Sequence, residues 1–523
     1  MKKLARISVR KLFGTFDYDI DFTKFGGYAI LTAPNGYGKS TILRIIHAIA
    51  NGNFCYFAGL PFECIRAGLL ESTDSANGDG KQPGLSELKI EKKKRKVRSE
   101  QKGHEAKPVC DLSVAVSPLA DVEDEGVPGE NHHYKCIVTL SDDWNFTFTD
   151  EDIENSVIPM IVNIGDYERI YTNSSNHRNF WVDSRDGSVQ DLAGIFNRSP
   201  AYFRRLFPKT LEWVRLVGLN CTYIGTDRLY LDGTGPFRRR YSSESDDRRF
   251  ERMSVRSLQV SEISHEISNA HFRCMRMYLD KSRKLEGDFV SRVIEKLNDG
   301  APNKAELRKS IKEKSERIQK MEERCASYGI VKRNIGEAVK RTQSEHALVV
   351  LDMFLDDVME KMRTYDDLLE RLDLLKNSLN DLLEMKSVEI WLSDDDESPV
   401  SDRNEFTVRN KVTAQPIPLG ALSSGEQHLI VLLGKLLFGT RRGGIGIGVR
   451  KNLLTRGKDS ALVLIDEPEL SFHPGWQERF GNVLDEIRKK YNVDFVAATH
   501  SPSFISNRWE NTIELADQVA HQG

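Results

Sequence analysis

Ala33-Pro34-Asn35-Gly36-Tyr37-Gly38-Lys39-Ser40-Thr41 is the stretch on which the fold class turns. Just before it, Tyr28-Ala29-Ile30-Leu31-Thr32 is apolar and β-prone and stops at a breaker, the pattern of a short buried strand. Just after it, Thr41 to Ile49 reads as an apolar helix. Strand, glycine-containing turn and helix in that order are the setting a phosphate-binding loop needs. Gly36 and Gly38 let the backbone approach phosphate oxygens without a Cβ clash. The N–H groups of the loop and of the helix start offer positive potential to an anion. In such a loop Lys39 neutralises the β- and γ-phosphates and Ser40 is the expected Mg²⁺ ligand. Asn35, Gly36, Gly38, Lys39, Ser40 and Thr41 are therefore the expected nucleotide-binding residues at this end. Position 33 carries Ala where the strict pattern has Gly.

The matching half lies far along the chain. Leu422-Ser423-Ser424-Gly425-Glu426-Gln427 precedes an apolar helical run, His428 to Leu437. This again sets serines and backbone N–H groups at a helix start, suited to a phosphate, with a plain capping sequence as the alternative. Ala461 to Ile465 reads as a strand apolar on both faces. It delivers Asp466 and Glu467 at its C-terminal end, where open α/β sheets bind ligands. Asp466 is expected to orient Mg²⁺ or its water, and Glu467 to polarise an attacking water. Asp494 to Thr499 is a further buried strand ending at His500, a candidate γ-phosphate or water sensor. The catalytic candidates are Lys39, Glu467 and His500; Ser423, Ser424, Gly425 and Glu426 are the nucleotide contacts of the distal half.

In this order the motifs resemble the ABC-type ATPase heads of the SMC, RecF and OLD families. Leu422–Gln427 is similar to the SMC/RecF signature, with Ser424 and Glu426 where transporters usually carry Gly and Gln. Glu467-Pro468-Glu469-Leu470-Ser471-Phe472-His473-Pro474 resembles the RecF/OLD Walker B and D-loop. The resemblance is specific at the two ends and vague between them. It implies ATP and Mg²⁺ as cofactors and hydrolysis of ATP to ADP and phosphate. It implies two heads sandwiching two ATPs, in a homodimer or higher even oligomer, with the P-loop of one subunit facing Ser424 and Gly425 of the other. It also implies a Mg²⁺-sensing loop, for which Thr222 to Leu229 is the best positional match. Asp227 stands there where the relatives read Gln-Arg-Leu; it would be a third metal ligand, and a surface turn is the alternative.

A narrower resemblance is to PtuA-like ATPases of Septu and retron-associated anti-phage systems. It rests on Leu12-Phe13-Gly14-Thr15-Phe16-Asp17-Tyr18, the compact middle segment and the lack of a fused nuclease. It implies a separate nuclease as effector subunit. Two other readings stay open: a RecF-like repair ATPase that binds DNA directly, and a scaffold locked by ATP with little turnover.

Composition narrows the class. The formal net charge is −3 and charged residues are 29%, so the whole chain is not a basic nucleic-acid coat. Nucleic acid is a candidate partner only through local patches, Lys92 to Arg98 and Arg238 to Phe250, each equally readable as a solvated face. Seven cysteines form no C-x-x-C pair and no zinc spacing, which with no signal-like start fits a reducing cytoplasm. No apolar run is long enough for a membrane span.

The expected fold class is α/β: an ABC-ATPase head, with a P-loop sheet and flanking helices, carrying an inserted short antiparallel coiled coil. The expected blocks are 1–250 as N-terminal lobe with a mobile insertion at 72–130, 251–400 as helical insertion, and 401–523 as C-terminal lobe. Lys3 to Val9 alternates like an edge strand. Helices are expected over 255–297 and 303–325, with Gly329 at the tip of the coil. Leu351, Val358, Tyr365, Leu372 and Leu379 repeat every seventh residue, and Phe354, Leu368, Leu375 and Leu382 form the second seam, broken by Lys361. Helical-bundle packing is the alternative. The 351–385 seam and its flanks, or else the face of the head pair, are the expected docking surface for the effector. With 23 residues after His500, the TOPRIM nuclease that follows the ATPase in OLD proteins is not expected here.

Overall fold

The computed structural model describes residues 2–71, 85–95, 133–141, 144–149, 152, 156–159, 161, 167–170, 180–183, 189–190, 192–198, 209–226, 259–298, 304–330, 344–392, 404–442, 450–452 and 460–520. The chain divides into two compact units. One takes Lys24–His47 and Leu219–Ala516; the other takes Lys2–Thr23, Ala48–Gly218 and Asp517–Gly523. The unit that holds Lys24–His47 draws on separated stretches because strands from both ends of the chain pair in its parallel sheet. The consecutive blocks read from the sequence do not coincide with the two units.

In the second unit, β1 (Lys2–Leu12) and β2 (Phe16–Asp21) join β4 (Cys64–Glu71), β5 (Leu85–Arg95), β6 (His133–Ser141) and β7 (Trp144–Thr149). They form an antiparallel sheet in the order β2-β1-β4-β5-β6-β7. β1 is thus interior, not an edge. Its alternation comes from one buried face, on which Ala5, Ile7 and Val9 sit. Lys92 is spoken for: its Nζ donates to Ala58 O (2.7 Å) and Leu60 O (3.0 Å), closing the carbonyl end of a short helix. Residues 96–98 and the cluster at 238–250 lie outside the described residues.

The first unit holds the parallel sheet. β3 (Tyr28–Thr32), β8 (Cys221–Ile224), β12 (Ala461–Asp466), β13 (Val493–Thr499) and β14 (Thr512–Glu514) stand in the order β8-β12-β13-β3-β14 once the three-stranded antiparallel sheet β9 (Lys386–Leu392), β10 (Asn404–Asn410) and β11 (Pro416–Ile417) is numbered between them. Every pairing in the five-stranded sheet is parallel. All six residues of β12 are buried, which is why its sequence shows no alternation. The registers Thr32↔Thr499 and Asp466↔Ala498 bring the C-terminal ends of three strands to one edge. At that edge begins α1 (Lys39–Asn51).

Helices cover the region between β8 and β12. α3 (Gln259–Asn298), α4 (Lys304–Ala326), α5 (Glu345–Met362) and α6 (Asp366–Leu382) follow α2 (Lys209–Val217) of the other unit; α7 (Ser424–Phe438) comes after β11 and α8 (Pro474–Lys490) after β12. With 40 residues, α3 is about 60 Å long. Ion pairs fix the directions. Lys281–Glu360 (2.5 Å) and Arg292–Asp357 (2.7 Å) make α3 and α5 antiparallel. Ser310–Asp352 (2.7 Å) and Lys314–Asp356 (2.6 Å) make α4 and α5 parallel.

The architecture is the expected α/β class, a parallel sheet with a helical insertion, but the insertion is packed differently. The return segment is not one coil helix: a 3₁₀ turn, Arg363–Tyr365, separates α5 from α6. Leu368, Leu372, Leu375, Leu379 and Leu382 are buried, together with Leu429 to Leu433 of α7, in one apolar core. Lys361, the apparent break in the seam, is buried and paired with Glu286 at 3.0 Å. Most of the seam is taken up by the chain's own core; of its residues Phe354 is exposed, and Met385 on its flank is exposed too. Gly329 is not a tip. Leu392 N of β9 donates to Tyr328 O (2.7 Å), and a Cβ on Gly329 would lie 2.6 Å from Trp391. α4 therefore ends against the head, and Gly329 (φ +77°) supplies the close left-handed turn there.

Candidate nucleotide site

The phosphate loop forms as its sequence demands. Gly36 (φ +89°) and Gly38 (φ +79°) take left-handed conformations, and Asn35 and Gly36 are exposed. Ile42 N donates to Gly38 O (2.9 Å), starting the helix that holds Lys39, Ser40 and Thr41 in its first turn. Lys39 is buried, and its Nζ donates to Ala33 O (2.7 Å) and Pro34 O (3.3 Å) and lies 3.3 Å from His500 Nδ1. Burial lowers the pKa of the ammonium, opposed by the carboxylates of Glu467, Asp466, Glu514 and Glu469.

Residues from both ends of the chain meet here. Ser40 Oγ donates to Asp466 Oδ1 at 2.8 Å, although 426 positions separate them. Asp466 is 1% exposed. Glu467 follows with φ +45°, a strained backbone for a non-glycine residue that turns it off the strand end. Its N–H is held by Ala498 O (2.8 Å), and its Oε1 lies 3.9 Å from His500 Nε2. Two hard oxygens, Ser40 Oγ and Asp466 Oδ1, side by side suit Mg²⁺, which takes one or two protein oxygens and completes its shell with phosphate and water. Among the described residues no group of three or more His, Cys, Asp or Glu could hold a metal by itself. Asp227 lies outside the described residues.

Two site residues escaped the sequence reading. Glu469 accepts from Thr499 Oγ1 (2.5 Å) and from His500 N (3.0 Å), so it holds the strand end that presents His500. Tyr223, on β8, donates its hydroxyl to Asp466 Oδ2 at 2.9 Å. Burial, then the neighbouring Asp466, push its phenol up to about 12, so it is a donor at neutral pH. The sequence signal for Tyr223 was its place within Thr222 to Leu229, the stretch expected to sense the metal, where it stands on the strand Cys221–Ile224.

The signature stretch caps α7. Ser423 Oγ accepts from Glu426 N (3.4 Å) and Glu426 Oε2 accepts from Ser423 N (2.9 Å), a reciprocal capping box. Lys386 Nζ of β9 adds two contacts to Glu426, at 2.5 and 2.6 Å. Burial alone would raise the Glu426 carboxyl, but Lys386 and the Ser423 donors outweigh it and hold it below its ordinary range. Glu426 thus shapes the loop. Ser424, exposed, and the N–H groups of Ser424 and Gly425 remain the donors at the helix start. Gly425 admits no Cβ, which would strike Ser471 O. Gln427 is buried and donates to Leu422 O (2.8 Å), pinning the turn from below.

Parts of the chain are similar to known proteins. Residues 277–506 match the family model described as "AAA domain, putative AbiEii toxin, Type IV TA system". The chain is 23% identical over 246 residues to "Retron Vc95 probable ATPase" of Vibrio cholerae serotype O1 biovar El Tor. That match covers 47% of this chain and 43% of the relative, so the chain spans less than half the length of the curated relative it matches. Two solved structures align along nearly the whole chain at 11% identity. One is the Smc head domain with an extended coiled coil bound to the C-terminal domain of ScpA, derived from Pyrococcus furiosus (97% of this chain, 92% of that one, TM-score 0.36). The other is the SmcHead bound to the C-winged helix domain of ScpA (96% and 91%, TM-score 0.33).

Proposed function

We propose that this chain is the ATP-hydrolysing subunit of a bacterial anti-phage defence system, working through paired heads and a separate effector, a nuclease. The observation that carries the ATPase part is the meeting of Lys39, Ser40, Asp466, Glu467 and His500 at one edge of a parallel sheet. The retron ATPase match and the AbiEii-type family model support the defence setting.

In this reading the loop N–H groups and Lys39 bind the β- and γ-phosphates of ATP. Ser40 and Asp466 hold Mg²⁺, which offsets phosphate charge when bound. Glu467 takes the proton of the attacking water, and His500, set by Glu469, orients that water and the γ-phosphate. Ser424 and Gly425 of a second head supply the donors that close the site. No helix among the described residues is long and apolar enough to cross a membrane, and a cytoplasmic site of action is part of the proposal.

Glu467→Gln tests it. ATP binding should persist, phosphate release should fall roughly 10²- to 10⁴-fold, and ATP should drive the variant into head pairs visible by light scattering. Turnover near that of the wild type would remove Glu467 as the base and leave His500 as the next candidate.

A further inference from the structure

The carboxylate of Asp466 receives a hydroxyl on each oxygen: Ser40 Oγ on Oδ1 at 2.8 Å and Tyr223 OH on Oδ2 at 2.9 Å. Tyr223 is itself clamped. Arg44 Nε donates to its phenol oxygen at 3.3 Å, and the Arg44 guanidinium lies 5.9 Å from the ring centroid. The His47 ring packs against the same ring at 5.9 Å. Arg44 and His47 share one face of α1, the helix whose first turn carries Lys39 and Ser40. Below, β8 pairs with β12 in register Ile224↔Ile465, which fixes the backbone distance between Tyr223 and Asp466.

The terminal torsion of an aspartate is broad and roughly two-fold. A single hydrogen bond to Oδ1 leaves that plane free to rock; a second donor on Oδ2, held by a different strand and braced by α1, stops it. We infer that Tyr223 is a positioning residue for the metal–nucleotide complex: its hydroxyl sets the plane of the Asp466 carboxylate so that Oδ1 faces Ser40. This rests on the nucleotide-site reading above and adds to it a residue that acts through Asp466. Outer hydrogen bonds of this kind change metal affinity about 10- to 100-fold when removed.

The test is a titration of Mn²⁺, followed by electron paramagnetic resonance, into the full chain saturated with ADP. Tyr223→Phe keeps the ring between Arg44 and His47 and removes only the hydroxyl. Half-saturation by Mn²⁺ should rise roughly tenfold or more. ADP affinity in EDTA should stay at the wild-type value, a split that a merely structural role would not give, and the melting temperature of the nucleotide-free chain shows that the variant is folded. On an Asp466→Ala background the same substitution should add nothing, because the effect passes through that carboxylate. Unchanged Mn²⁺ affinity in Tyr223→Phe, or an equal further loss on the Asp466→Ala background, would overturn the assignment. The two failures are distinguishable. If wild-type protein holds Mn²⁺–ADP and Ser40→Ala weakens it while Tyr223→Phe does not, the Tyr223 assignment falls alone. If the wild type shows no protein-dependent Mn²⁺–ADP binding, the nucleotide-site reading falls and takes it along.

Discussion

The parallel sheet and the helical insertion both bury apolar residues, yet they use them in opposite ways. In β12 and β13 the apolar residues do one job: they bury the strands on both faces and leave Asp466 and His500 at the strand ends. In α5 and α6 the apolar residues repeat with heptad spacing, the pattern of a partner-facing coil, but those of α5 pack onto α3 and α4, those of α6 onto α7, and both join one core. A strand's partner is constrained by register and by the chemistry at its end. A heptad states only that one helix face is apolar, not what covers it. The edge of the sheet is therefore where substitutions should change chemistry without changing stability, and the insertion is where they should change stability first.

The largest expected effect on the stability side is at Leu372, which is fully buried. Leu372→Ala should destabilise the fold by about 2–5 kcal/mol. Phe354→Ala, on the same apparent seam but 40% exposed, should cost about 0.5 kcal/mol or less. Chemical denaturation of the two variants checks this. Equal, small losses would restore the free coil and erase the contrast between the regions.

A smaller effect sharpens the contrast where the regions join. Lys386, which follows α6, clamps Glu426 in the signature cap. Glu426→Gln should cost on the order of 1 kcal/mol at neutral pH. The sign follows from the lowered carboxyl: its contribution is complete above the ordinary value of 4.5 and disappears as pH falls through the folded-state value below it. The melting temperatures of variant and wild type should therefore converge in acid below pH 4.5. A gap that persists unchanged at low pH would mean that the charge of Glu426 does not hold the cap.

How much was legible follows the same division. Tyr28–Thr32, the loop, and the Ala461–Glu467 strand end could be read because the motif and its strand or helix are adjacent in sequence, and the glycine conformations at 36 and 38 are local requirements. Glu426 was read as a nucleotide contact; the capping box that engages it was equally written in Ser423-Ser424-Gly425-Glu426. Tyr223 was not legible as a partner of Asp466, since 243 positions separate them and only the parallel pairing of β8 with β12 brings them together. The turn at Gly329 was misread for a similar reason. A left-handed glycine serves a free tip and a close approach equally well, and only the contact with Trp391 decides.

If Lys39 and the residues gathered around it form an ATP site, calorimetric titration of MgATP into wild-type and Lys39→Ala protein separates the two. Losing the buried ammonium should weaken binding roughly 10- to 100-fold, the worth of a charge-assisted contact, with the melting temperature of the free protein not lowered, since burial already disfavours that charge. Equal affinity in the two proteins would contradict the account.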